Sequence, residues 1–155
     1  MPLQVEDGSE YKFQGGAIEF TGVVFSYEGM KDPALNGLNL KIEAGTKVSI
    51  IGKSGSGKST MLKLLLGLLK PSRGHIQVDK QDIEDIRISS LRSRVGSITQ
   101  NTRLFDQSVT DNMRFFANPD VTEEQIQEAC RKACIHDTIM SFPDGYGTKI
   151  GDDGQ

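Results

Sequence analysis

Gly52-Lys53-Ser54-Gly55-Ser56-Gly57-Lys58-Ser59-Thr60 is a glycine- and serine-rich run with a lysine near its end. Gly52, Gly57, Lys58 and Ser59 meet the spacing G-x-x-x-x-G-K-S/T, whose chemistry is phosphate binding. The glycines let the backbone curl so that successive N–H groups of Ser54, Gly55, Ser56 and Gly57 point into one concavity, an anion nest. A helix starting at the end of the run adds its free N–H groups and the positive end of its dipole. Lys58 would reach the outer phosphates, and the Ser59 hydroxyl would ligate Mg²⁺, an ion that keeps few protein ligands and several waters. Thr60 lies one residue deeper and would contact the innermost phosphate.

The flanks agree with that chemistry. Thr46-Lys47-Val48-Ser49-Ile50-Ile51 precedes the run and carries the strand formers Val48, Ile50 and Ile51. Residues 61–69 follow, apolar on nearly every face apart from Lys63, and predict a buried helix. Strand, glycine loop and helix is the order the motif requires. The competing reading is a flexible Gly/Ser turn, which the flanks disfavour.

Outward from this centre, residues 1–14 are polar and irregular and read as a tail or linker. Strand patterns follow at 17–20, 23–27 and 38–42, the last alternating apolar and polar, with a loop between Glu28 and Asn36. Beyond the glycine-loop helix, Pro71-Ser72-Arg73-Gly74 is a turn by composition, and residues 75–78 a short strand turned by Asp79-Lys80. A short helix over 89–94 and a strand over 95–99, ending at Gln100, come next. Ser108 with Asp111 opens a helix through Phe116. Thr122 and Gln125 form a capping box, with Val121 and Ile126 at the staple positions. Ile126, Ala129, Cys130, Ala133 and Cys134 then repeat at helical spacing, and a further helical turn runs over 135–141.

The bulk properties narrow the classes. The chain has 155 residues, enough for one domain with a core, and a net charge of −3. That balance argues against non-specific nucleic-acid binding. Arg87, Arg92, Arg94 and Arg103 are offset by Asp79, Asp82, Glu84 and Asp85 and read as a solvated face. The two cysteines, Cys130 and Cys134, lie on one apolar helix face without a metal-spaced His or acid, and read as buried small hydrophobes. His75 and His136 have no evident partner. The longest apolar run, residues 64–69, is too short to span a bilayer.

Several separate stretches together resemble the nucleotide-binding domain of ABC transporters, the export-type branch most closely. Gly15-Gly16-Ala17-Ile18-Glu19-Phe20 through Phe25-Ser26-Tyr27 is similar to the family's opening strands, with Tyr27 at its adenine-loop aromatic. Gly74-His75-Ile76-Gln77-Val78-Asp79 with Asp82-Ile83 resembles the strand and turn after the first helix, and Gln100 the Q-loop glutamine. Leu104-Phe105, Ser108-Val109 and Asn112 resemble the export-type continuation, and Asp144-Gly145-Tyr146 with Thr148 and Gly151 the segment before the signature helix. Lys80 departs from the pattern, which favours glycine in that turn.

The resemblance implies an α/β fold: a P-loop NTPase (RecA-like) core, an N-terminal antiparallel β layer and the beginning of a helical subdomain. The β layer and core would occupy about 15–100 and the helical part about 101–155. It implies ATP and Mg²⁺ as ligands, held by Gly52, Ser54, Gly55, Ser56, Gly57, Lys58, Ser59 and Thr60, with Tyr27 stacking on adenine. Ser59 and Gln100 would complete the metal shell, Gln100 from the end of a strand. It further implies a transmembrane domain as partner through Asn101 to Asp111, with Leu104-Phe105 as anchor, and a second such domain as dimer mate on the cytoplasmic side of a membrane. The signature sequence, the Walker B aspartate and the catalytic glutamate of the family lie beyond the matched stretches. The expectation is therefore an incomplete domain, the first part of a longer one, that binds MgATP without meaningful turnover alone and folds poorly in isolation. The alternatives are a stand-alone P-loop kinase or GTPase, disfavoured by the all-β lead-in and the lack of a guanine-reading Asn-Lys-x-Asp, and a truncated fragment that only binds nucleotide or a partner.

Overall fold

The computed structural model describes residues 7–98, 103–115 and 117–151. The chain divides into two compact units between Ser97 and Ile98.

The first unit is built on an antiparallel sheet of order β2-β1-β3-β4. β1 (Ile18–Phe25) is one strand where two had been expected. It pairs with β2 (Leu35–Ile42) on one side and β3 (Arg73–Val78) on the other, and the register shifts in both pairings mark a bulge around Gly22. Gly74 crosses there, and a Cβ on it would lie 2.5 Å from the Gly22 and Thr21 backbone. The buried face carries Phe20, Val23, Phe25, Ile76 and Val78. α1 (Lys58–Leu65) contributes Met61 and Leu64 to the same core, and α2 (Ile88–Arg92) contributes Ile88 and Leu91. The buried helix expected over 61–69 ends at Leu65, and Leu62 within it and Leu68 beyond it are exposed.

β3 and β4 (Gln81–Asp82) form a hairpin through the two-residue turn Asp79-Lys80. Both turn residues have positive φ, 51° and 63°, as a type I′ turn demands. Asp79 is nonetheless buried. Its carboxylate accepts hydrogen bonds from the Tyr11 hydroxyl at 2.6 Å and from the amides of Gln14, Gly16 and Ala17 at 2.7, 2.9 and 2.8 Å. Burial opposes the charge, but these donors outweigh it and hold the carboxyl below its ordinary range. Burial and the neighbouring carboxylate push the Tyr11 hydroxyl up. Part of the stretch that reads as a tail is thereby stapled down: Tyr11 is buried, and Ser9 bridges Ile86.

Two expected strands, 46–51 and 95–99, are not formed among the described residues. Residues 46–51 belong to no strand or sheet, and Ile51 is 94 % exposed. Residues 95–98 likewise pair with nothing among the described residues, and Ile98 is 97 % exposed. A strand is made by its neighbours' N–H and C=O groups, and no described segment offers them here. The antiparallel layer expected from the sequence is present, whereas no parallel P-loop sheet is formed among the described residues.

The second unit packs α3 (Val109–Phe115), α4 (Glu123–Lys132) and α5 (His136–Met140) around Val109, Ile126, Cys130 and Ile139. A small pair, β5 (Gln107–Ser108) with β6 (Lys149–Ile150), closes it. The capping box at α4 is present: Gln125 N–H donates to Thr122 Oγ1 at 3.3 Å, and Thr122 N–H to Gln125 Oε1 at 3.0 Å. The helix ends two residues before the apolar repeat does. Cys134 has φ 57°, its N–H bonds Arg131 O, and the Ile135 N–H bonds Cys130 O. These two bonds make a Schellman cap. Cys130 is buried as expected, but Cys134 is turned out and exposed by that cap. His136 has a partner after all, its Nδ1 lying 2.9 Å from the Tyr146 hydroxyl, and His75 Nδ1 lies 3.3 Å from Asp82.

Candidate functional site

The glycine-rich run curls into a loop. Ser56 N–H donates to Lys53 O at 3.2 Å, and Gly57, with φ 88°, hands the chain into α1. Only glycine fits at this handover. A Cβ there would meet Ala34 O at 2.6 Å and Leu35 Cδ2 at 2.7 Å. The loop therefore rests on the entry to β2. No side chain caps the start of α1, so its first-turn amides are left for a ligand.

Lys58 brackets the loop. Its Nζ donates to Gly52 O at 2.7 Å, to Lys53 O at 2.8 Å and to Ser56 Oγ at 3.3 Å. The ammonium thus ties the first limb of the loop to the last. Gly52 enters the arrangement through its carbonyl.

Ser54, Gly55, Ser56, Gly57, Lys58, Ser59 and Thr60 line one cavity of about 530 Å³. Tyr27 lines it from the other side. A volume of that order suits a nucleotide-sized ligand. The Tyr27 ring meets Phe25 edge-on, with centroids 5.0 Å apart, and its hydroxyl lies 3.1 Å from the hydroxyl of buried Thr60. Thr60 thus lines the cavity with its hydroxyl against that of Tyr27. Gln100 lies outside the described residues.

The loop of residues 28–34 also lines the cavity, through Met30, Asp32, Pro33 and Ala34. These were missed because they follow no periodicity and no motif. The available signal was proximity: a loop leaving an aromatic at a strand end must pass over whatever that aromatic covers. Among the described lining residues Lys58 is the cation and Asp32 the carboxylate.

In the second unit, Asn112 shapes the segment that precedes α3. Its Oδ1 accepts from Phe105 N at 2.8 Å, and its Nδ2 donates to Phe105 O at 2.9 Å and to Ser108 O at 3.0 Å. Phe105 is held half-exposed, its ring 4.2 Å from that of Phe115. Asn101 and Thr102 lie outside the described residues.

Comparison with known proteins points one way. A family model described as ABC transporter matches residues 35–148. The ABC transporter aclQ of Aspergillus oryzae is 46% identical over 153 residues, 98% of this chain and 19% of the relative. The mitochondrial iron-sulfur clusters transporter atm1 of Neurospora crassa is 45% identical over 91% of this chain and 19% of its own length. The ATP-dependent lipid A-core flippase of Salmonella typhimurium is 40% identical over 90% of this chain and 24% of its own. The solved structure of a bacterial Atm1-family ABC exporter with ATP bound superposes with a TM-score of 0.89 at 32% identity, covering 97% of this chain and 26% of that one. The chain spans about a fifth to a quarter of the length of these relatives.

Proposed function

The chain belongs to the ABC transporter family, and from that premise we propose that it is the MgATP-holding part of an export-type transporter. The observation that carries the proposal is the single cavity that joins an uncapped helix start and Lys58 to Tyr27. The amides of residues 54–59 and Lys58 take the triphosphate. Ser59, with Gln100 as a further ligand, would hold Mg²⁺, which would supply charge neutralisation for the phosphates. Tyr27 lies against the base, its tilt set by Phe25 and its tip tied to Thr60. Lys58 already bonds two loop carbonyls, so it meets the phosphates without rebuilding the loop.

The family's coupling of nucleotide to transport runs in this reading through residues 101–111, with Phe105 offered to a transmembrane partner and Asn112 holding its backbone. A second ATP-binding domain would complete the site as a dimer mate. No helix among the described residues is long and apolar enough to cross a membrane. Attachment to the cytoplasmic side of one is accordingly assigned to the partner domain.

The test is calorimetric. MgATP should bind the wild type, and Lys58→Ala should weaken binding at least tenfold, since a charge-assisted hydrogen bond contributes roughly 1.5–3 kcal/mol. Chelating Mg²⁺ should weaken it further. Equal affinity of the two proteins for MgATP would refute the site, and a wild type that takes GTP as well as ATP would favour a kinase or GTPase.

A further inference from the structure

Asp32 is an unusual residue to find in a cavity meant for a polyanion. Its side chain makes no hydrogen bond or ion pair with any of the described residues. We propose that Asp32 is the acceptor that reads a hydrogen-bond donor on the nucleoside, either a ribose hydroxyl or the exocyclic amine of the base. The proposal rests on the MgATP site above and adds to it the group that recognises the nucleoside.

Charge bears on which end Asp32 serves. The triphosphate must sit against Lys58 and the first-turn amides of α1. A bare carboxylate against it would repel it, which favours the uncharged end of the ligand for Asp32. Apart from Asp32, the described lining residues outside the glycine loop and α1 are Tyr27, Met30, Pro33 and Ala34. Three of them have no polar side-chain atom. The fourth has its hydroxyl engaged with Thr60. Asp32 is the one carboxylate among these lining residues and the strongest acceptor they offer a donor on the ligand.

The backbone holds Asp32 to that task. Met30 N–H donates to Tyr27 O at 3.1 Å, which closes a turn directly after the aromatic. Pro33 follows Asp32, which lies in a bend, and disfavours helical backbone there. Two residues later Leu35 enters β2 and is buried. The carboxylate is therefore carried on a short span pinned at both ends, the turn of Tyr27 on one side and the sheet on the other.

The experiment compares wild type, Asp32→Ala and Asp32→Asn by calorimetry with four Mg²⁺-loaded ligands: ATP, ITP, 2′,3′-dideoxy-ATP and inorganic tripolyphosphate. Asp32→Ala should lose roughly tenfold in ATP affinity, the scale of a hydrogen bond to a charged acceptor. Asp32→Asn should fall between the two. Tripolyphosphate should bind Asp32→Ala as well as wild type or better, which also shows that the loop is intact. The analogue that wild type already binds as weakly as Asp32→Ala binds ATP identifies the donor: ITP for the amine, dideoxy-ATP for the ribose. Unchanged ATP affinity in Asp32→Ala overturns the proposal. So does an equal loss of ATP and tripolyphosphate, or a wild type that binds both analogues as tightly as ATP. A wild type that binds MgATP no better than Lys58→Ala does brings down the underlying site instead.

Discussion

β1 and residues 46–51 are both rich in strand formers, yet only one becomes a strand. β1 has β2 and β3 as antiparallel neighbours and buries Phe20 and Val23 to 2 % and 0 % exposure. Residues 46–51 have no neighbour among the described residues, and Val48, Ile50 and Ile51 are exposed. Propensity is nearly the same in the two stretches. The difference is supply of partners, because an isolated strand satisfies neither its amides nor its apolar side chains. The phosphate loop at the end of residues 46–51 is consequently supported from below, by Ala34 and Leu35 at the mouth of β2, and by its own lysine.

Core truncation should divide the two stretches most sharply. Phe20→Ala should cost about 3–5 kcal/mol in chemical denaturation, the usual price of an emptied aromatic site, whereas Ile51→Ala should stay within about 0.5 kcal/mol. Comparable losses would mean that residues 46–51 are packed in solution and would break the contrast. Amide exchange sharpens the same point: N–H groups of residues 47–51 should exchange far faster than those of Phe20 and Ile76.

Asp79 is the next largest lever, since it ties the entry to β1 onto the β3–β4 turn. Asp79→Ala strands a tyrosine hydroxyl and three amides and should cost about 3 kcal/mol. The pH dependence has a definite sign. The folded carboxyl lies below its unfolded value, so its contribution is complete above about pH 4–5 and is lost as pH falls through the folded value. Asp79→Asn should flatten that acid limb of the stability curve. An unchanged limb would show that other carboxylates govern acid unfolding.

The smallest effects concern left-handed residues with side chains. Lys80→Gly should stabilise the hairpin by about 0.5–1 kcal/mol, and Cys134→Gly the end of α4 by a similar amount, because glycine holds positive φ without a Cβ penalty. Thermal denaturation would register both. A loss of stability at Lys80→Gly would mean that the turn relaxes out of its type I′ form.

What could be read from the sequence was what is decided locally. The capping box of Thr122 and Gln125 spans four residues, the Asp79-Lys80 turn two, and the glycine loop nine, so each carries its own instructions. The strands that failed, at 46–51 and 95–98, looked correct because propensity says nothing about who pairs with whom. Asp79 passed for a turn residue because its donors lie more than sixty residues earlier in the chain. Cys134 passed for core because the apolar repeat runs on past the residue where the helix unwinds. Met30 and Asp32 carried no pattern, and only the return of the chain over the loop brought them to the cavity.

The bracket formed by Lys58 has a thermodynamic consequence. With its ammonium seated between the carbonyls of Gly52 and Lys53, the loop has given up its disorder before any ligand arrives. Binding then becomes an exchange of oxygens around one nitrogen, and affinity measures how well an incoming anion competes with three neutral acceptors already in place. A chain of phosphates long enough to meet both the ammonium and the helix start gains from that competition, while a single small anion gains little.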